Sequence, residues 1–339
     1  MESSRTEPGI LAIWAMTDGR AGNVAQALGL AEAVARCSPA SVTAQEIRPS
    51  TVAAALPARI WHALRWLPGW PEGGLARGCP PPGPPWPDLA IGAGRRAAPF
   101  VAALGRRHGV RTVQILDPQM DPAAFDLIVA PEHDRLAAPN AIATLGAVGR
   151  ITPDRVAEAA ARLAPRIAHL PPRRVAVLIG GSGNAARWSE DDADRLVAQL
   201  AALVAGGTSL LVTTSRRTDP AVVTALRADL DPTQTFLHTG EGENPYPGML
   251  GLAQAVIVTE DSVNMASEAA STGLPVHVFR VSHPSAKARA FHAALAARGI
   301  ARDFEGAISQ WSYPPLAEAD RVARLVLARL FPGREVAQP

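Results

Sequence analysis

Three segments in the second half of the chain carry residue types suited to holding an anion. The run from Arg174 to Ile179 followed by Gly180, Gly181, Ser182 and Gly183 reads as a strand entering a glycine-rich loop, where missing side chains let backbone N–H groups approach a phosphate. Gly181-x-Gly183-x-x-Ala186 has the spacing of a dinucleotide fingerprint, but the helix start reads further on, at Ser189, Glu190, Asp191 and Asp192 in capping-box spacing. The next strand ends in Thr213, Thr214, Ser215, Arg216 and Arg217, hydroxyls and guanidiniums at the edge where open α/β sheets take ligands. No acidic residue ends that strand, so the dinucleotide reading weakens and an anionic ligand is favoured. A solvated arginine pair opening a loop is the plainer account.

The third segment is the richest. Val256 to Thr259 reads as a strand, Glu260 and Asp261 close it, and a helix opens near Ser262 with its free N–H groups at the ligand edge. Asn264 and Glu268 share a face of that helix, which also carries Met265, and Gly273 ends it before the next strand. A carboxylate at Glu268, close to a phosphate-binding helix end, could accept both hydroxyls of a ribose. The competing account has Asp261 merely capping the helix and Glu268 solvated.

In the first half, Thr17, Asp18, Gly19, Arg20, Ala21, Gly22 and Asn23 follow the first predicted strand, and Ile91 to Gly94 leads into Arg95 and Arg96. Asp18 is a candidate base or a turn-forming Asp before Gly. His133, flanked by Glu132 and Asp134 at the end of another strand, is the second candidate base, the alternative being a solvated loop histidine. These three adjacent residues point apart and lack a partner cluster, so no metal site is expected.

Elements able to position these groups recur with the rhythm of strand-helix units. Strands are expected at 10–16, 42–47, 88–91, 112–116, 127–130 and 141–145, then at 174–179, 209–213, 235–237, 255–258 and 276–279. The expected fold is α/β, with two Rossmann-like doubly wound domains. Thr152 and Pro153 start a helix that ends before Pro171 and Pro172, which places the boundary there: domains 1–170 and 171–315, then a C-terminal helix and tail, 316–339, able to pack on either domain. Residues 60–87 break the rhythm with Trp61, Trp66, Trp70, Trp86 and a proline run. The segment reads as a short helix buried against the domain edge, or as exposed indoles flanked by arginines that meet a membrane or protein partner.

Composition narrows the function. The 339 residues hold 33 basic and 31 acidic side chains, so no broad basic field exists to attract nucleic acid. Lys287 is the single lysine, and Cys37 and Cys79 are too few for a disulfide framework or zinc cluster. With a polar start at Met1 to Gly9 and no long apolar run, the expectation is a cytoplasmic protein, peripheral to a membrane at most.

The helix start at Ser262, then Ser267, Glu268 and Ala269, then Thr272 to Val276, resembles the donor-binding helix of GT-B glycosyltransferases, two Rossmann-like domains facing each other across a cleft. Together with the segments 17–23, 91–96, 117–118, 131–134 and 214–217 in order, the chain resembles the mitochondrial fission Elm-one family over about Trp14 to Phe279. The resemblance implies a GT-B-like fold in which Glu268 binds the ribose of a nucleotide sugar, without a cofactor. Gly181, Ser182, Ser215, Arg216, Arg217, Asp261, Ser262 and Met265 would surround the nucleotide and phosphates, and Arg20, Asn23, Arg95 and Arg96 the acceptor. A metal-independent transfer would then draw its base from Asp18 or His133. Two other readings stay open: a non-catalytic recruitment protein using residues 60–87, and an NADP-dependent epimerase or oxidoreductase resting on the glycine spacing plus Arg216.

Overall fold

The computed structural model describes residues 9–183, 185–335 and 337. The polar start, Met1 to Pro8, and Asn184 of the glycine loop lie outside the described residues. The chain divides into two compact units, one of residues 1–150 with 317–339 and one of residues 151–316.

Unit 1 runs β1 (Leu11–Thr17), α1 (Ala21–Cys37), β2 (Ala40–Glu46), α2 (Thr51–Ala55), α3 (Ala58–Ala63), β3 (Leu89–Ala93), α4 (Ala98–His108), β4 (Arg111–Ile115), β5 (Leu127–Pro131) and β6 (Ala141–Thr144). Its six strands form one parallel sheet in the order β2-β1-β3-β4-β5-β6. Strand periodicity sends alternate residues to opposite faces. Leu11, Ile13 and Ala15 of β1 therefore join one buried cluster with α1, while Trp14 and Met16 join another with Phe100 and Val101 of α4. Both faces of β1, β3 and β5 are covered, which is why these strands read as near-continuous apolar runs, whereas edge strand β2 stays largely exposed.

Unit 2 runs α5 (Pro153–Leu163), β7 (Arg174–Ile179), β8 (Ala186–Arg187), α6 (Glu190–Ala205), β9 (Ser209–Thr214), α7 (Pro220–Asp229), β10 (Thr235–His238), α8 (Tyr246–Leu252), β11 (Ala255–Thr259), α9 (Val263–Ala270), β12 (Val276–Phe279), β13 (His283–Pro284), α10 (Ala286–Ala297) and β14 (Ala301–Asp303). Its parallel sheet is ordered β10-β9-β7-β11-β12-β14, and β8 pairs antiparallel with β13. All eleven expected strands are present, and β14 adds an edge strand that its short, charged sequence conceals.

The unit boundary falls twenty residues before the Pro171-Pro172 pair expected to mark the divide. The reason is helix packing. A Cβ at Gly248 of α8 would stand 2.5 Å from the Ala159 carbonyl oxygen, and one at Gly251 would stand 2.8 Å from the Ala160 Cβ. Two glycines one turn apart thus let α8 lie directly on α5, so α5 belongs to the unit that follows it. The C-terminal helix α11 (Glu318–Leu330) belongs to unit 1, where Val322, Ala323, Val326 and Leu327 are buried in the α1 cluster and Asp320 pairs with Arg36 at 2.6 Å. Among the described residues, no helix is long and apolar enough to cross a membrane.

Candidate functional site

In each unit the strand order reverses direction once. In unit 2 the first strand, β7, has β9 and β10 on one side and β11 onward on the other, so the switch point lies between β7 and β11. Loops diverge there at the C-terminal ends of the strands, which is where doubly wound sheets take ligands.

Asp261 holds these loops together. One carboxylate oxygen accepts the Gly181 N–H at 2.8 Å and faces Arg217 Nη2 at 3.4 Å, while the other accepts Trp188 Nε1–H at 3.1 Å. The side chain is fully buried, and that burial pushes its carboxyl above the ordinary range against the pull of these donors. A Cβ at Gly180 would overlap Asp261, and one at Gly181 would overlap the Arg217 carbonyl. These glycines therefore make room for neighbouring loops. Gly180, Gly181 and Gly183 donate their N–H groups to Thr259 Oγ1, Asp261 and the Ala186 carbonyl.

That geometry corrects two expectations. The Gly181 N–H is already committed to Asp261, so it does not face a phosphate, and Asp261 is a keystone between loops where a cap or a ligand contact was expected. Ser215 Oγ accepts the Arg217 N–H at 3.1 Å and meets Thr218 Oγ1 at 3.3 Å, shaping its own turn. Ser182 Oγ accepts the Trp188 N–H at 3.1 Å. Ser182, Arg216 and Arg217 do line an open cavity of about 720 Å³, which Trp188, Glu190 and Thr218 also border.

Ser262 is the N-cap of α9, its hydroxyl accepting the Met265 N–H at 3.4 Å, as its sequence position predicts. The opening N–H groups of α9 have no carbonyl partner within the helix. Glu260 is spent elsewhere: it is buried and binds Arg280 at 2.8 Å and the Val281 N–H at 3.2 Å, tying β11 to the end of β12.

Glu268 lies near the other end of α9, apart from the Asp261 group. Its partly buried carboxyl faces the Tyr246 hydroxyl, which is itself buried and reaches no standard hydrogen-bond geometry. Burial pushes the Glu268 carboxyl up to about 7, with the phenol opposing. Tyr246 goes up as well, by burial first and then by the facing carboxylate. Trp188 and Tyr246 escape a motif search because each acquires its role only when strands distant in sequence become neighbours. Tyr246 does leave one signal, as one of two tyrosines in the chain, set among Asn244, Pro245 and Pro247.

In unit 1 the switch point lies between β1 and β3. Asp18 accepts Asn23 Nδ2–H at 2.8 Å and pairs with Arg20 at 3.4 Å and Arg96 at 3.8 Å, its carboxylate almost wholly enclosed. Gly94, at φ 80°, packs so closely that a Cβ there would lie 2.4 Å from Asn23 Nδ2, so only glycine turns the chain at this point. Four predicted residues thus meet: Asp18, Arg20, Asn23 and Arg96. Arg95 points outward, exposed. His133, on the 3-10 turn Glu132–Asp134 after β5, stands three strands from β1, roughly 14 Å at ordinary strand spacing. The two base candidates are therefore not brought together.

Of the four tryptophans in 60–87, three are pinned. Trp61 is buried and donates to the Ala53 carbonyl, Trp70 donates to the Trp61 carbonyl, and Trp86 stacks on His108 at 3.9 Å between centroids. Trp66 alone is exposed, at 73%, beside Leu67 at 51%.

Two doubly wound parallel units, each with polar groups gathered at its switch point, define a GT-B-like protein. Solved structures share the fold. The UDP-GlcNAc 2-epimerase of Methanocaldococcus jannaschii matches with a TM-score of 0.55 at 8% identity, over 93% of this chain and 99% of that one. The UDP-GlcNAc 2-epimerase of Neisseria meningitidis bound to UDP-GlcNAc matches at 0.51 and 11%, over 94% and 100%. The chain belongs to the mitochondrial fission ELM1 family, whose profile matches residues 21–330. It is 30% identical over 276 residues to the mitochondrial fission protein ELM1 of Arabidopsis thaliana, an alignment covering 72% of this chain and 65% of that protein's length.

Proposed function

We propose that unit 2 binds a nucleoside diphosphate sugar and that the protein is a metal-independent glycosyltransferase. The supporting observation is the arrangement on α9. Its N-terminus opens at the switch point beside Arg217, and Glu268 follows five residues after Val263, roughly 7.5 Å along the axis. The diphosphate would take the opening N–H groups with the arginines, and Glu268 the ribose hydroxyls. Gly181, Ser215, Asp261 and Ser262 are proposed to hold these groups in place from within the protein, with Ser182 and Met265 proposed at the border of the site.

In the proposed reaction the acceptor oxygen attacks the anomeric carbon and loses its proton to a base. The bond from that carbon to the diphosphate breaks, and the nucleoside diphosphate leaves with the electron pair, its charge met by α9 and arginine. Asp18 and His133 are the proposed candidates for that base. Arg20, Asn23 and Arg96, fixed by Asp18, are proposed to hold an anionic or hydroxyl-rich acceptor. UDP-GlcNAc, the molecule bound to the Neisseria epimerase, makes uridine the first nucleoside to try.

Calorimetry with UDP-, GDP-, ADP- and TDP-sugars tests the reading. Binding of at least one that is lost in Glu268→Ala supports it; four flat titrations sink it. A second reading, non-catalytic recruitment through residues 60–87, draws on exposed Trp66 and Leu67 alone, since Trp61 and Trp70 build the domain. Pull-down and vesicle flotation with Trp66→Ser and Leu67→Ser together test that reading, and association that survives both changes removes it.

A further inference from the structure

A cavity of about 470 Å³ lies at the N-terminal edge of the unit 1 sheet, the end opposite its switch point. Arg111 and Thr112, which open β4, and Asp126, just before β5, line its solvent-facing rim. Trp61, Trp70, Pro71, Pro99, Ala103 and Phe125 form apolar walls. Both indole N–H groups are turned into the protein, Trp61 to the Ala53 carbonyl and Trp70 to the Trp61 carbonyl, so the wall they present is ring carbon. Arg107 fixes this wall by binding both Glu72 and the Trp70 carbonyl. The volume falls in the usual range for small-molecule sites, and the walls are preformed.

The charges at the mouth are unequal in what they can offer. Asp126 Oδ2 accepts the Thr112 N–H at 2.7 Å and the Thr112 hydroxyl at 3.0 Å, and Asp121 accepts the Ala123 N–H at 3.0 Å. Each carboxylate thus accepts a backbone donor through one oxygen, and Asp126 Oδ1 forms only a long ion pair with Arg111. Arg111 is 55% exposed and lies 3.9 Å from its nearest Asp126 oxygen, while Arg106 lies over the ring of exposed Trp66 at 5.4 Å. A head group arriving at this mouth meets guanidinium, and the body behind it meets hydrocarbon.

We propose that this cavity binds a small anionic amphiphile, its single alkyl chain against Trp61, Trp70 and Phe125 and its carboxylate or phosphate head on Arg111. The site is independent of the nucleotide reading, which concerns unit 2. A charge-assisted contact of this kind corresponds to about tenfold in affinity.

The test is calorimetry on the full chain with decanoate below its micelle concentration, with decanol as the uncharged probe and phosphatidylglycerol vesicles as a membrane probe. Saturable one-site binding of decanoate is expected, about tenfold tighter than decanol. Ala102→Phe, which fills the cavity from α4, should abolish it. Should that variant fold poorly, exposed Arg111→Gln supplies a second measurement: it should weaken decanoate and leave decanol unchanged. No saturable binding, equal binding of both probes, or indifference to Arg111→Gln overturns the proposal. Vesicle capture without monomer binding also overturns it, and would point to the Trp66 surface.

Discussion

The Asp261 carboxylate accepts the Gly181 N–H across eighty residues of sequence, and Gly180 lies so near the same carboxylate that a single added methyl would overlap it. This contact welds the loop after β7 to the loop after β11 at the switch point of unit 2. Asp261→Ala strips acceptors from two donors, the Gly181 N–H and the Trp188 indole N–H. A buried donor left unpaired costs about 1–3 kcal/mol, and the indole N–H is only partly buried, so a loss of roughly 1–4 kcal/mol is expected in urea unfolding. Gly180→Ala should cost roughly 1–3 kcal/mol by overpacking alone. Stability unchanged in both variants would show that the loops are not joined through Asp261.

Glu268 sets a pH dependence of definite sign. Its carboxyl titrates near 7 in the fold, against an ordinary 4.5, so the folded chain binds more protons than the unfolded chain between those values. Stability contributed by this residue is therefore full below about 4.5 and declines as pH rises through about 7, by roughly 3 kcal/mol in all. Thermal unfolding at a series of pH values should show a component of this sign that disappears in Glu268→Gln. The ribose reading adds a second consequence of opposite direction: the ionised carboxylate is the better acceptor for two hydroxyls, so uridine, which lacks a titrating phosphate, should bind more tightly above pH 7 than below it. Binding that weakens on raising the pH would contradict that role.

Trp61 and Trp66, five residues apart, should respond in opposite ways to removal. Trp61 is 5% exposed, packs on Trp70 and Phe100, and donates to Ala53, so Trp61→Ala should cost about 3–5 kcal/mol. Trp66→Ser, at an exposed site, should change stability by about 0.5 kcal/mol or less. Chemical denaturation of the two variants checks this, and equal losses would mean that Trp66 is buried in solution.

What the sequence reveals follows the range of the interaction. The strands were legible because burial on both faces makes continuous apolar runs such as Val175 to Ile179, and the helix starts at Thr152, Ser189 and Ser262 because a cap binds within three residues of itself. Asp18, Arg20 and Asn23 meet within a single turn of chain, whereas Arg96 joins them only once β1 and β3 are adjacent. The keystone role of Asp261 was not, since it exists only after β7 pairs with β11. The tryptophan segment stood out as an insertion, yet which indole stays outside is decided by Ala53 and Phe100, neither of which belongs to it.

The unit boundary gives the last prediction, because two different cuts follow from sequence punctuation and from packing. A fragment of residues 171–316 begins at the proline pair and omits α5. It would uncover the face of α8 on which Gly248 and Gly251 lie, and with it buried Met249 and Leu250 nearby. A fragment of residues 151–316 keeps Thr152 as the N-cap of α5 and retains Leu163 and Ile167 as core. The longer fragment should unfold in one cooperative transition in urea. The shorter one should lose roughly 2–5 kcal/mol, the scale of deleting one or two large core side chains, or fail to fold. Gly251→Val in the full chain offers the same test without truncation, since its side chain would push into Val156 and Ala160. If the two fragments prove equally stable, α5 is not part of unit 2, and the proline pair is the true divide.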